Sequence, residues 1–261
     1  MPLLEINDLG IDFGGLHAVD GFNAALEPGE LVGLIGPNGA GKTTVFNLIS
    51  SFHPPSRGLV YLLGEKITGL KPYQVAERGI VRTFQNIRLF KELSVVDNVR
   101  IAHHPFARYG IFDAIFRNQR FHTGQKLLHD EAMDLLATFG LMNRASEIAK
   151  NLPYGEQRKL EIARALATKP KLLLLDEPAA GMNPQEAQSL MELIEFIKER
   201  FSLTIFLIEH QMRVVMGICR RILVMDFGKI IAQGNPREIQ NNPMVIEAYL
   251  GRKSRRHAPR D

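Results

Sequence analysis

The spacing of apolar and polar positions changes character twice along this chain. Leu3 to Phe13 and Ala18 to Leu26 read as two strands of an antiparallel β layer, with Gly14-Gly15 turning between them. Leu31 to Ile35 is a short, wholly apolar run, as in a strand buried on both faces. Lys42 to Ser51 then reads as a helix, Gly58 to Leu63 as another strand, and Val81 to Gln85 as a strand leading out of this part of the chain. From about Ser94 to Thr168 helical spacing takes over: Leu127, Leu128, Ala132, Leu135, Leu136 and Phe139 recur so as to build one apolar face. Strands and helices alternate again afterwards, with strands over Leu172 to Asp176, Thr204 to Ile208, Ile222 to Asp226 and Lys229 to Ala232 and a helix over Pro184 to Arg200. That alternation predicts an α/β fold with a mostly parallel core sheet, an antiparallel β layer and a helical subdomain inserted at about residues 94–168.

Composition narrows this picture without redirecting it. The 261 residues, 45% of them hydrophobic, suit one large domain with an inserted subdomain, expected over residues 1–251. A single cysteine, Cys219, rules out an internal disulfide, fits a reduced compartment and is expected to be a small packed residue. The start MPLLEINDLG has no basic segment followed by an apolar one, so export is not expected. Aliphatic runs such as Leu172 to Leu175 and Ile205 to Ile208 fall far short of the roughly 20 residues that span a bilayer. Membrane association is therefore expected to come through a partner. Much of the net charge of +4 sits in the segment from Arg252 to Arg260, read as a basic, solvated and disordered tail over residues 252–261.

Two segments carry chemistry. Gly36-Pro37-Asn38-Gly39-Ala40-Gly41-Lys42-Thr43 spells GxxxxGK[ST] directly after the apolar run Leu31 to Ile35. Glycines at positions 36, 39 and 41 let backbone N–H groups wrap a triphosphate, Lys42 can reach its β- and γ-phosphates, and the Thr43 hydroxyl can complete a Mg²⁺ shell, with Thr44 adding a second hydroxyl. The helix beginning near Gly41 would point its positive end at the same phosphates. In the second segment, Lys171-Leu172-Leu173-Leu174-Leu175-Asp176-Glu177-Pro178, four leucines bury a strand whose carboxyl end delivers two acids. Asp176 is suited to hold Mg²⁺, and Glu177 to polarise a water for in-line attack on the γ-phosphate.

With these two motifs in place, residues 3 to 251 resemble the ATP-binding cassette family, the nucleotide-binding subunits of ABC transporters, whose P-loop NTPase fold has a RecA-like core. Further matches follow in family order: Gln85 in Arg82-Thr83-Phe84-Gln85, the signature-like Leu152-Pro153-Tyr154-Gly155-Glu156-Gln157-Arg158, the D-loop over Ala179 to Asn183, and His210. The resemblance implies two cassettes arranged head to tail, each ATP held by one subunit's phosphate loop and the other's signature segment. It implies that Phe13 stacks on adenine, that Gln85 ligates Mg²⁺ beside Thr43 and Asp176, and that His210 is the switch histidine at the γ-phosphate. Asn38, Ala40, Pro153, Tyr154, Gly155 and Glu156 would join the nucleotide contacts. Pro153 replaces the family's signature serine and Tyr154 the glycine after it, so contact from this segment would rest on Gly155 and its neighbours. The other seven histidines, among them His103 and His104, show no metal-ligand pattern.

Softer features, including Arg88-Leu89-Phe90, Leu160 to Arg164, Ala179 to Pro184 and Ile246 to Gly251, are similar to the ATPases of bacterial branched-chain amino acid importers. Those complexes combine two ATPases, two membrane permease subunits and a solute-binding protein, which places the chain at the cytoplasmic face of the membrane. Asn86 to Glu92 would form part of the groove receiving a permease. The alternatives are a P-loop kinase, in which Glu177, Gln85, the signature-like segment and His210 would have no common reason to occur together, a related cassette for urea or amide import or lipid export, and a soluble ABC ATPase of DNA repair or translation. The last would require a second cassette or a long coiled-coil insertion, and the sequence has neither; no nucleic acid partner is expected.

Overall fold

The computed structural model describes residues 1–107 and 109–255. The chain opens with β1 (Leu4–Phe13), β2 (Leu16–Leu26), β3 (Leu31–Ile35), α1 (Lys42–Ile49), β4 (Arg57–Leu62), β5 (Glu65–Lys66), α2 (Pro72–Glu77) and β6 (Ile80–Arg82). A helical stretch follows, with α3 (Val95–His103), α4 (Ile111–Phe116), α5 (Gln119–Thr138) and α6 (Tyr154–Leu166). The last part runs β7 (Leu172–Asp176), α7 (Pro184–Arg200), β8 (Thr204–Ile208), α8 (Met212–Ile218), β9 (Arg221–Asp226), β10 (Lys229–Gly234), α9 (Pro236–Gln240) and α10 (Pro243–Arg255). Two compact units result: Met1–Arg82 together with the chain from Lys171 onward, and Thr83–Pro170.

The first unit holds two sheets. One is antiparallel in the order β2-β1-β4-β5, its first hairpin closed by Gly14 and Gly15 at φ +53° and +87°, the left-handed pair that a tight hairpin turn requires. The other has the order β10-β9-β3-β8-β7-β6, parallel throughout except for the edge strand β10. Every residue of β3, β7 and β8 is buried, which is why these strands read as unbroken apolar runs rather than as alternation. Phe46 of α1 packs against Phe206 of β8 within this core, the rings tilted by 54° with 5.3 Å between their centroids. Cys219 is buried, and burial pushes its thiol well above the ordinary range, so it packs as a small apolar side chain.

Two expectations change here. The strand foreseen over Val81 to Gln85 ends at Arg82; the backbone carbonyls of Phe84 and Gln85 accept hydrogen bonds from Arg158 at 2.7 and 2.6 Å instead of extending a ladder. At the other end α10 continues through Arg255, so the basic residues from Arg252 to Arg255 are helical. The rest of the foreseen tail, residues 256–261, lies outside the described residues.

In the second unit α3 packs on α5 and α6. Helix α5 buries Leu128, Ala132, Leu135 and Leu136, and Phe139 just beyond it is buried too; only Leu127 of the foreseen face is part-exposed. The Ser94 hydroxyl caps α3 by accepting from the Asp97 N–H. His103, 2% exposed, lies 2.7 Å from a Glu131 oxygen; Lys169 is 3.7 Å from the same oxygen. Burial holds the His103 imidazole below its ordinary pKa, with Lys169 pushing the same way and Glu131 opposing. Because the unfolded chain then binds more protons between the lowered value and about 6.5, stability rises with pH across that window and is lost as pH falls through it. His103→Asn is expected to remove this component: the melting temperature of the variant should fall less than that of the parent between neutral pH and pH 5.5. An identical decline in both would refute the assignment.

Candidate active site

Parallel strands β3, β8 and β7 lie side by side in level register, Leu34 opposite Ile208 and Ile208 opposite Asp176. Their carboxyl ends therefore bring three segments of the sequence to one edge of the sheet: the loop over residues 36–41, Glu209 with His210, and Asp176 with Glu177. Such an edge is where open parallel sheets place ligands.

In the loop, Gly36, Gly39 and Gly41 have φ values of +152°, +81° and +101°, but for different reasons. A Cβ on Gly36 would stand 2.1 Å from the Met225 carbonyl oxygen, and one on Gly41 would stand 2.4 Å from that of Ala18. A Cβ on Gly39 would meet nothing within 4 Å, so backbone conformation alone calls for glycine there. Gly36 and Gly41 are thus required by close backbone packing inside the protein, in addition to any ligand they approach. Helix α1 starts from Gly41 with no side-chain cap and no acid in its first turn, leaving its positive end to an anion from outside. Lys42 is 6% exposed and donates from Nζ to the carbonyls of Gly36 (2.8 Å) and Pro37 (3.0 Å). Thr43 is exposed and Thr44 half-buried. Ala40 is buried, whereas Asn38 is exposed. Phe13, 47% exposed at the end of β1, meets only the edge of the His53 ring, at 5.7 Å, among described aromatic contacts.

Asp176 is 2% exposed, and its Oδ2 accepts from Arg82 Nη2 at 2.7 Å; Arg82 also donates to Asn47 Oδ1 at 2.6 Å. Neither Arg82 nor Asn47 was foreseen in the site. The available signal was an arginine in the otherwise apolar β6. Glu177 has φ +46°, a left-handed backbone that a long side chain adopts only when its surroundings enforce it. Its N–H donates to the Ile208 carbonyl at 2.9 Å, and one of its carboxylate oxygens lies 3.6 Å from His210 Nδ1. Glu209, also unforeseen, is fully buried and accepts from the N–H groups of Ala179 (3.0 Å) and His210 (3.2 Å); burial raises its pKa. It fastens the segment after Glu177 to the end of β8.

Gln85 and residues 153–156 belong to the second unit. Helix α6 begins at Tyr154, with Pro153 as its extended N-cap rather than its first helical residue. Pro153, Tyr154 and Gln85 are exposed, Gly155 is half-buried, and Glu156 pairs with Arg144 at 2.9 Å. Arg158 joins these two segments by donating to the carbonyls of Phe84 and Gln85 and to Glu161. The segment over residues 86–92 is pinned from below: Glu161 accepts from the Arg88 N–H, and buried Asn98 bonds both backbone groups of Phe90.

A family model described as ABC transporter matches residues 19–180, and one described as branched-chain amino acid ATP-binding cassette transporter matches residues 229–253. The high-affinity branched-chain amino acid transport ATP-binding protein LivG of Escherichia coli is 48% identical over 96% of this chain and 98% of its own length. The chain belongs to the ABC transporter family. It is an ATPase of that family, an α/β P-loop cassette. The lipopolysaccharide export ATP-binding protein LptB of the same organism is 33% identical over 96% of this chain and 98% of its own length. In fold, the cassette superposes on the ADP conformation of an ATP-binding cassette of an ABC transporter with a TM-score of 0.83 at 30% identity, covering 96% of this chain and 99% of that one.

Proposed function

We propose that this cassette hydrolyses Mg²⁺-bound ATP at the edge formed by β3, β8 and β7 and thereby powers uptake of branched-chain amino acids. The observation that carries the catalytic part is the convergence on one sheet edge of an uncapped helix start, a buried lysine, a buried aspartate and a strained glutamate. Support for the solute comes from the family match over residues 229–253, away from the nucleotide motifs, and from the lower similarity of the lipopolysaccharide-exporting relative.

The donor set fits Mg²⁺. Among the described residues no three His, Cys, Asp or Glu side chains are arranged to hold a metal ion by themselves, and the ligands assigned to the ion are one carboxylate, Asp176, and the hydroxyl of Thr43. That suits a small hard ion that takes the rest of its shell from phosphate, water and the Gln85 amide. Once bound, the ion would offset charge on the phosphate oxygens. Arg82 fixes the Asp176 carboxylate through Oδ2, leaving Oδ1 to serve the metal. Lys42 would exchange its carbonyl partners for the β- and γ-phosphates. Glu177 would take the proton of the attacking water, with His210 beside it sensing the γ-phosphate and Phe13 stacking on adenine.

Two cassettes, this chain with itself or a paralogue, would close head to tail so that residues 153–156 of each reach the other's nucleotide. Residues 86–92 would receive a membrane permease, and a solute-binding protein would act on the opposite side. No helix among the described residues is long and apolar enough to cross a membrane. The similarity to ATP-binding subunits of membrane transporters supports a place at the cytoplasmic face.

Reconstitution with the permease subunits and binding protein tests this reading. ATP turnover should rise with leucine, isoleucine or valine and not with urea; stimulation by urea alone would reassign the solute. Lys42→Ala should weaken ATP binding by about 10- to 100-fold, the worth of hydrogen bonds from a charged donor. Unchanged affinity in an equilibrium titration would remove Lys42 from the phosphate site.

A further inference from the structure

Helix α4 is amphipathic with its apolar side turned outward. Ile111, Phe112, Ile115 and Phe116 are 78%, 77%, 66% and 77% exposed, while Asp113 and Ala114 are only part-exposed. Positions i, i+1, i+4 and i+5 fall on one side of a helix, so the four large side chains form a single ridge. At about 200 Å² per aromatic side chain, the ridge presents on the order of 500 Å² of apolar surface, at the upper end of what a soluble monomer leaves uncovered.

The ridge is firmly mounted. Asp113 accepts from the Gly110 N–H at 2.9 Å and from Asn118 Nδ2 at 2.5 Å, and Asn118 in turn accepts from the Phe121 N–H to cap the 20-residue helix α5. The charges around it are mostly positive. Over residues 109–122 the sequence has Arg117 and Arg120 against the single acid Asp113. Arg117 and Arg120 are exposed just past the ridge, as is Lys126 on α5. The one carboxylate is occupied by Gly110 and Asn118, which hold its pKa down.

We infer that α4 is a membrane-contact element that inserts its Ile/Phe ridge into an anionic lipid surface while Arg117 and Arg120 engage the phosphate head groups. A protruding ridge of side chains without hydrogen-bonding groups, flanked by more cations than anions, complements the boundary between acyl chains and lipid phosphates. At six residues, roughly 9 Å long, α4 can lie in the interface and cannot cross the membrane. This amends the expectation that membrane association comes only through a partner: the permease supplies one attachment and α4 a second, and stable anchoring generally takes two.

The sequence contains no tryptophan, so Phe112→Trp in the full chain makes a single reporter at the ridge, with Phe116→Trp as a second should the first fail to fold. With phosphatidylglycerol vesicles the emission should shift to the blue and be quenched by lipids brominated on their acyl chains; phosphatidylcholine vesicles should give far less. Ile115→Ser should lower partitioning by at least about tenfold, and Arg117→Gln with Arg120→Gln should remove the preference for anionic lipid. Unshifted, unquenched emission at saturating phosphatidylglycerol overturns the proposal, even if the protein sediments with vesicles through its basic C-terminal residues. A shift that appears only when the permease is present overturns it as well and assigns the ridge to protein.

Discussion

Glu177→Gln is expected to keep ATP binding intact and to lower turnover by roughly 10²- to 10⁴-fold, the range for removing a positioned proton acceptor. The substitution is nearly isosteric, and the left-handed backbone at φ +46° is held by the bond from the Glu177 N–H to Ile208, which does not involve the side chain. Strain and fold should therefore persist, and the change reports on the carboxylate itself. Because binding precedes the lost step, the ATP-loaded pair of cassettes should accumulate, and the loss should appear in kcat with little change in ATP affinity. Single-turnover hydrolysis alongside equilibrium binding in the reconstituted transporter checks both parts. A fall of less than tenfold would mean that another group receives the proton.

How far the sequence foretold this site depends on which force placed each residue. Strands β3, β7 and β8 were legible because burial on both faces leaves no polar position, and each apolar run ends where the chain emerges at the sheet edge with its functional group. The phosphate loop was legible for a related reason: only glycine tolerates the backbone at Gly36 and Gly41, although the close partners that demand it, the carbonyls of Met225 and Ala18, lie far away in sequence. Helix α5 was legible from its 3.6-residue period.

Arg82, Glu209 and Arg158 were not legible as parts of the site, because a charged residue announces burial only through partners that the fold supplies. Arg82 ends a strand of three residues and finds Asp176, 94 positions later. Glu209 is buried by the same sheet edge it stabilises, and its acceptors are filled by backbone N–H groups that leave no trace in composition. The premature end of β6 has the same origin, since propensity favours extending the strand through Phe84 while Arg158 captures the carbonyls there. The ridge on α4 escaped notice for the opposite reason: its apolar periodicity is that of an ordinary core helix, and only its exposure sets it apart.

Arg158 also sets up the second large effect. It is fully buried, donates to two backbone carbonyls, and pairs at 2.7 Å with Glu161, itself 2% exposed. Arg158→Met keeps most of the volume but leaves a buried carboxylate without its counter-charge, a change that typically costs about 3–5 kcal/mol; the two carbonyls lose their donor as well. Against the roughly 5–15 kcal/mol that holds a domain of ordinary stability, this would bring the second unit close to unfolding. The urea midpoint should fall sharply, and amide exchange over residues 85–88 should quicken, since the carbonyls of Phe84 and Gln85 and the N–H of Arg88 all hang on this pair. Adding Glu161→Leu to Arg158→Met should recover part of the stability, because the stranded charge is gone, but should leave the Gln85 segment loose. If Arg158→Met unfolds within about 1 kcal/mol of the parent, the ion pair is not what ties the Gln85 segment to the start of α6.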